Sequence, residues 1–218
     1  MNPDSTAASV AVADAADSLQ SPVRAPPYPL HRTVWECTAV ITGVGLITFV
    51  LPMGTPGYLA LCVTASAVAL AYGAYGIWRV PGTPRRWGLI GNPRRAEGIA
   101  YGFGWAALMT VLGAVPVAVA RELVDRPPLS FPPLYSLWCI VQDFVFFSLF
   151  LRNLIDRIPK WIAVALTAVL FGMSHYPFTE MVAVTACAAL VWGYIFATSR
   201  VLWFAFLPHL LLGYVLLS

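Results

Sequence analysis

Asp143, His175 and His209 each stand inside an apolar run. An ionisable side chain at the centre of a membrane helix costs at least about 2.5–3.5 kcal/mol, so each needs a partner or a task. Two imidazoles and a carboxylate on three separate segments can do three things. They can clamp the segments together by hydrogen bonds. They can hold a divalent metal, with Asp143, His175 and His209 as a two-His-one-carboxylate set. They can also hold and polarise a water, with the carboxylate as base. Gln142 precedes Asp143, but neighbouring helical residues point about 100° apart, so the two cannot aim at one atom. Phe147 follows one turn later on the face of Asp143. Arg152 lies nine residues on, on the opposite face, and is a poor ion-pair partner for it. Glu36 stands near the start of the first apolar segment, where it can reach the membrane interface.

The segments that carry these residues follow from composition. Of 218 residues, 59% are hydrophobic and 11% charged, and the mean hydropathy is +0.75. A soluble domain is about 45–50% apolar and about 25% charged. That excludes a water-soluble globular enzyme and a disordered chain. With about 20 apolar residues per span, the length suits roughly six to eight spans. Residues 1–30 carry no sustained apolar period and no basic-then-apolar leader, and read as a disordered tail. Residues 31–218 read as one transmembrane domain. Seven apolar segments follow at about 33–52, 58–78, 98–120, 134–155, 160–176, 181–198 and 201–217. The expected fold is all-α, a polytopic transmembrane helical bundle of about seven spans.

With the N-terminus in the cytoplasm, eleven of the thirteen Lys and Arg residues fall on the cytoplasmic side. Only Arg121 and Arg126 fall outside, which sets the expected orientation. The setting expected is a bacterial plasma membrane. Trp78 and Trp87 flank the basic loop as interfacial aromatics do. The stretch from Arg85 to Glu97 reads as a membrane-surface segment that favours anionic lipid. Cys37, Cys62, Cys139 and Cys187 make no CxxC pair and read as small buried hydrophobes rather than zinc ligands or a disulfide framework. Gly98, Gly102 and Gly104 offer small surfaces for helix packing, which leaves the oligomeric state open.

The polar residues carry a resemblance. Phe171-Gly-Met-Ser-His175 resembles the Phe-x-x-x-His motif of the CPBP family, the CAAX-protease and bacteriocin-processing membrane proteins that include the type II CAAX prenyl endopeptidases. Leu207-Pro-His-Leu-Leu-Leu-Gly213 resembles its His-x-x-x-Asn motif, with Gly213 in the Asn position. The run from Gly193 through Arg200 to Leu202-Trp203 fits the approach to that histidine. Gln142-Asp143-Phe-Val-Phe-Phe147 aligns with Glu-Glu-x-x-x-Arg, and Arg152 follows as expected. The likeness covers about residues 134–218.

The resemblance implies that the first Glu and the Phe-x-x-x-His histidine activate water, and that the last motif stabilises the oxyanion. Here the base position is Gln142, whose amide accepts no proton near neutral pH. Phe147 removes the Arg charge and its paired donors. Gly213 removes an oxyanion donor, a loss typically worth about 10²–10³ in rate. Three functions compete. One is an endopeptidase in which Asp143 and His175 activate water, His209 serves the oxyanion, and Phe147, Phe171 and Gly213 contact the substrate. One is a catalytically silent binder of lipidated or hydrophobic segments. One is isoprenoid or lipid chemistry with Asp143 as acid. The expected partners are the bilayer and a hydrophobic or prenylated substrate, not nucleic acid. The cofactor is either a divalent metal or none.

Overall fold

The computed structural model describes residues 29–50, 55–80, 82–90 and 132–217. The tail, the span expected at 98–120 with its glycines, and the Pro-rich loop after it lie outside the described residues. Helix α1 runs Leu30–Phe49. Helix α2 runs Pro56–Arg79. Pro56 opens α2 because its missing N–H is one that a first turn leaves unbonded anyway, and Thr55 caps it by accepting from the Tyr58 N–H at 3.2 Å. A short helix α3 covers Thr83–Arg86. Helix α4 (Pro132–Asp143) continues without a break into a π-helical segment, Phe144–Leu151, and then α5 (Arg152–Leu154). Helices α6 (Lys160–Met173), α7 (Thr179–Ser199) and α8 (Trp203–Leu217) complete the bundle. The described residues contain no strand.

Three helical stretches are long and apolar enough to cross a membrane: Pro56–Arg79, Tyr135–Leu154 and Thr179–Ser199. Lys160–Met173 and Trp203–Gly213 are apolar but shorter. Helix α1 has 20 residues but is not among the three. The expected helix positions hold to within about three residues, while the count of seven spans goes beyond what the described helices establish.

One end of the bundle is tied together by hydrogen bonds. The Arg86 guanidinium pairs with Asp156 at 3.2 Å, and Arg152 pairs with Asp156 as well. The Arg152 Nε donates to the Arg86 carbonyl at 3.2 Å. The loop after α3 docks on the start of α8: the Leu202 N–H donates to the Gly88 carbonyl at 2.8 Å, and the Trp203 indole to the Leu89 carbonyl at 2.9 Å. Ser148 donates to the Trp87 carbonyl at 2.6 Å. Glu36 joins this end too. It accepts from the Tyr72 hydroxyl, the Asn153 amide and the Arg32 guanidinium. Arg32, Arg86 and Arg152 all bond at this end, and the indoles of Trp35, Trp78 and Trp161 are exposed. At the opposite end the rings of Phe49 and Tyr176 meet at 5.5 Å.

Two expectations are corrected at the tied end. Trp87 is 1% exposed and belongs to the core, not the interface. Its ring lies edge-on to Phe144 at 5.2 Å. It also covers Gly76, where even a Cβ would collide with the indole. The Thr83–Ile90 stretch therefore packs on the bundle, and residues 91–97 of the expected surface segment lie outside the described residues. Glu36 is buried among α1, α2 and α5, bonded to Tyr72 and Asn153. The four cysteines are free, but Cys187 is exposed and only Cys62 and Cys139 are fully buried.

Aromatic rings make up much of the rest of the core. Phe147 stacks on Phe171 at 6.1 Å with planes 11° apart, and Phe146 meets Phe171 edge-on at 4.9 Å. Gly172 lets α6 lie against α7: a Cβ there would come within 2.7 Å of the Val182 carbonyl oxygen.

Candidate active site

Asp143 is the last α-helical residue before the π-helical turn. A π-turn inside an α-helix re-aims its side chains and is often found at functional positions. The Asp143 side chain points across the bundle to α8, where Pro208 sits inside the helix just before His209. The Asp143 Oδ1 accepts from the His209 Nδ1 at 2.9 Å. Asp143 is 0% exposed and His209 5%. The carboxylate on Nδ1 assigns a proton to that nitrogen. The other carboxylate oxygen, Oδ2, is buried with no hydrogen-bond partner. The His209 ring stacks on Trp192 at 4.8 Å and meets Phe171 edge-on at 5.3 Å.

His175 lies beyond the end of α6 and is partly exposed. Its Nδ1 donates to the Phe171 carbonyl at 3.0 Å, with the Ser174 and Thr185 hydroxyls each at 3.3 Å. A backbone carbonyl only accepts, so here too Nδ1 carries a proton. The Phe171 ring touches both imidazoles, 5.4 Å from His175 and 5.3 Å from His209.

The structure thus joins Asp143 to His209, not to His175. No hydrogen bond links Asp143 to His175, nor the buried Gln142 amide to any of the three. Among the described residues no three His, Cys, Asp or Glu side chains come together to hold a metal ion. Asp143, His175 and His209 therefore do not fit a divalent metal as a three-ligand set, because the Phe171 ring borders both histidines and His175 is bonded away from the carboxylate. Phe147 and Phe171 are both 0% exposed. They wall the polar pair and present no open surface. Arg152 serves Asp156, as its place opposite Asp143 requires.

Three residues escape a reading of the motifs. Thr185 supports His175, and Trp192 supports His209. Trp192 stands mid-way along an apolar segment, far from any interface, and an indole so placed signals a polar or aromatic neighbour. Tyr135 is the third. A Cβ built on Gly213 would fall on its hydroxyl and ring, so the tyrosine fills the space left by the missing side chain.

Residues 125–215 match the family model described as type II CAAX prenyl endopeptidase Rce1-like. Searches of curated proteins and of solved structures found no match. The matched stretch contains Gln142, Asp143, Phe171, His175, His209 and Gly213, and with the apolar helices it makes this an integral membrane protein. Over residues 125–215 the chain is similar to the type II CAAX prenyl endopeptidases of the CPBP, or CAAX-protease, family.

Proposed function

We propose that this protein is a membrane-embedded endopeptidase for a prenylated or hydrophobic peptide, with His209 as the base that deprotonates the attacking water. The observation that carries this reading is the 2.9 Å bond between Asp143 and His209, two residues whose burial in apolar helices is costly unless they act together. Asp143 holds Nδ1–H and so leaves Nε2 to meet the attacking water, as a carboxylate does behind a catalytic imidazole. Water gives its proton to Nε2 and its oxygen to the scissile carbonyl. The resulting imidazolium faces a carboxylate, which stabilises it. The water-activating role thus passes from the Gln142 and His175 positions to Asp143 and His209. No step here uses a metal.

A second reading is binding without cleavage. It is favoured by Phe147, which stacks between Phe171 and Phe196 at 6.1 Å from each, in the position where the family motif has Arg. The bonding of Arg32, Arg86 and Arg152 at the tied end supports a cytoplasmic location for that end and for the N-terminus.

The test is cleavage of a farnesylated CAAX peptide by the purified protein in liposomes. Cleavage by wild type is expected, with kcat falling about 10²–10⁴-fold in His209→Ala. Asp143→Asn should lower kcat while leaving KM near its wild-type value. Unchanged cleavage in His209→Ala would overturn the assignment. Tight peptide binding with no cleavage by wild type would establish the second reading instead.

A further inference from the structure

We propose that the Tyr135 hydroxyl is the donor that receives the substrate carbonyl in this site. The inference rests on the endopeptidase reading and adds a residue to it. Gly213 lies four residues after His209 on α8, so the two share one face, one turn apart. A Cβ at residue 213 would coincide with the Tyr135 hydroxyl and crowd its ring carbons. The phenol therefore crosses from α4 onto the His209 face of α8, into space that only a glycine leaves open.

The glycine is not explained by backbone conformation, since its φ lies outside the left-handed region. A glycine in a helix interior costs about 0.5–1 kcal/mol relative to alanine. Its benefit here is the room it makes for the hydroxyl. The Tyr135 oxygen places a hydrogen-bonding group at Gly213, one helical turn from His209 along α8.

A phenol both donates and accepts, so it can keep a structural partner and still donate to an incoming oxygen. One turn of helix separates this donor from the imidazole base, a spacing that a peptide group and its attacking water can bridge. As water's oxygen bonds to the carbonyl carbon, its proton passes to His209 Nε2. The carbonyl π pair moves onto the carbonyl oxygen, and the Tyr135 O–H stabilises that charge. The leaving amine takes its proton back from the imidazolium. Neither an oxidant nor a co-reactant is required.

The experiment compares wild type with Tyr135→Phe, which keeps the ring and removes the oxygen. The first arm is cleavage of the farnesylated CAAX peptide, where kcat should fall about 10²–10³-fold with KM nearly unchanged. The second arm uses an uncleavable farnesylated ketomethylene isostere, with carbon-13 at the carbonyl that replaces the scissile one. Its infrared carbonyl band, read on bound ligand, should move to higher frequency in Tyr135→Phe as the hydrogen bond is lost. Cleavage that depends on His209 but not on Tyr135, or an unmoved carbonyl band, overturns the inference. If wild type binds but never cleaves, the endopeptidase reading fails by itself, and the infrared arm still decides whether Tyr135 holds the carbonyl.

Discussion

Two carboxylates are buried in this bundle, and they are treated differently. Glu36, at the tied end, accepts from Arg32 and Tyr72 on one oxygen and from Asn153 on the other. Arg32 in turn donates to the Tyr72 hydroxyl at 2.9 Å. Asp143 has a bond on Oδ1 only, while Oδ2 is enclosed without one. A buried charge is tolerated when its lone pairs are met by donors, and removing one partner of such a set is strongly destabilising. Glu36 meets that condition and fastens α1 to α2 and α5. Asp143 does not, and a half-satisfied carboxylate is a poor clamp. On the proposed function, the difference separates a group kept for architecture from one kept for chemistry.

The contrast breaks most sharply under His209→Ala. Cleavage should drop by about 10²–10⁴. Glu36→Ala should act on stability and not on the chemical step. Leaving Arg32 and Asn153 facing an empty site should lower stability by about 3–5 kcal/mol. Scanning calorimetry checks it, and a small loss would remove the distinction between the two carboxylates. Gly76→Ala tests the same end by packing alone. Its methyl would strike the Trp87 ring, and overpacking of this kind costs about 1–3 kcal/mol. Loss of near-ultraviolet circular dichroism from a displaced indole would accompany it. The smallest effect belongs to Asp156→Asn, measured by the same melts. Its ion pairs with Arg86 and Arg152 are partly exposed, so at most about 1 kcal/mol is at stake.

Much of the fold was legible because apolar runs of membrane length have few other fates. The helices at Pro56–Arg79 and Thr179–Ser199 begin and end within about two residues of the expected positions. The prolines and cations that bound them act locally. Trp87 was misplaced for the opposite reason. Its sequence neighbours are basic, but its packing partners, Tyr72, Gly76 and Phe144, come from other elements. The π-helical segment was invisible in a run of Phe, Val and Leu, whose apolar pattern suits either helix.

The site divides in the same way. The presence of Asp143, His175 and His209 in apolar helices, and the loss of the usual Glu, Arg and Asn at 142, 147 and 213, are properties of residue type at a position, and the sequence alone determined them. Which histidine meets the carboxylate was decided by the tertiary structure, because it depends on how α8 crosses α4 and on where the π-turn aims Asp143. The same is true of Tyr135, which reaches Gly213, 78 positions on in the chain, by virtue of two packed helices. Periodicity speaks for one helix at a time, whereas these contacts exist only between helices.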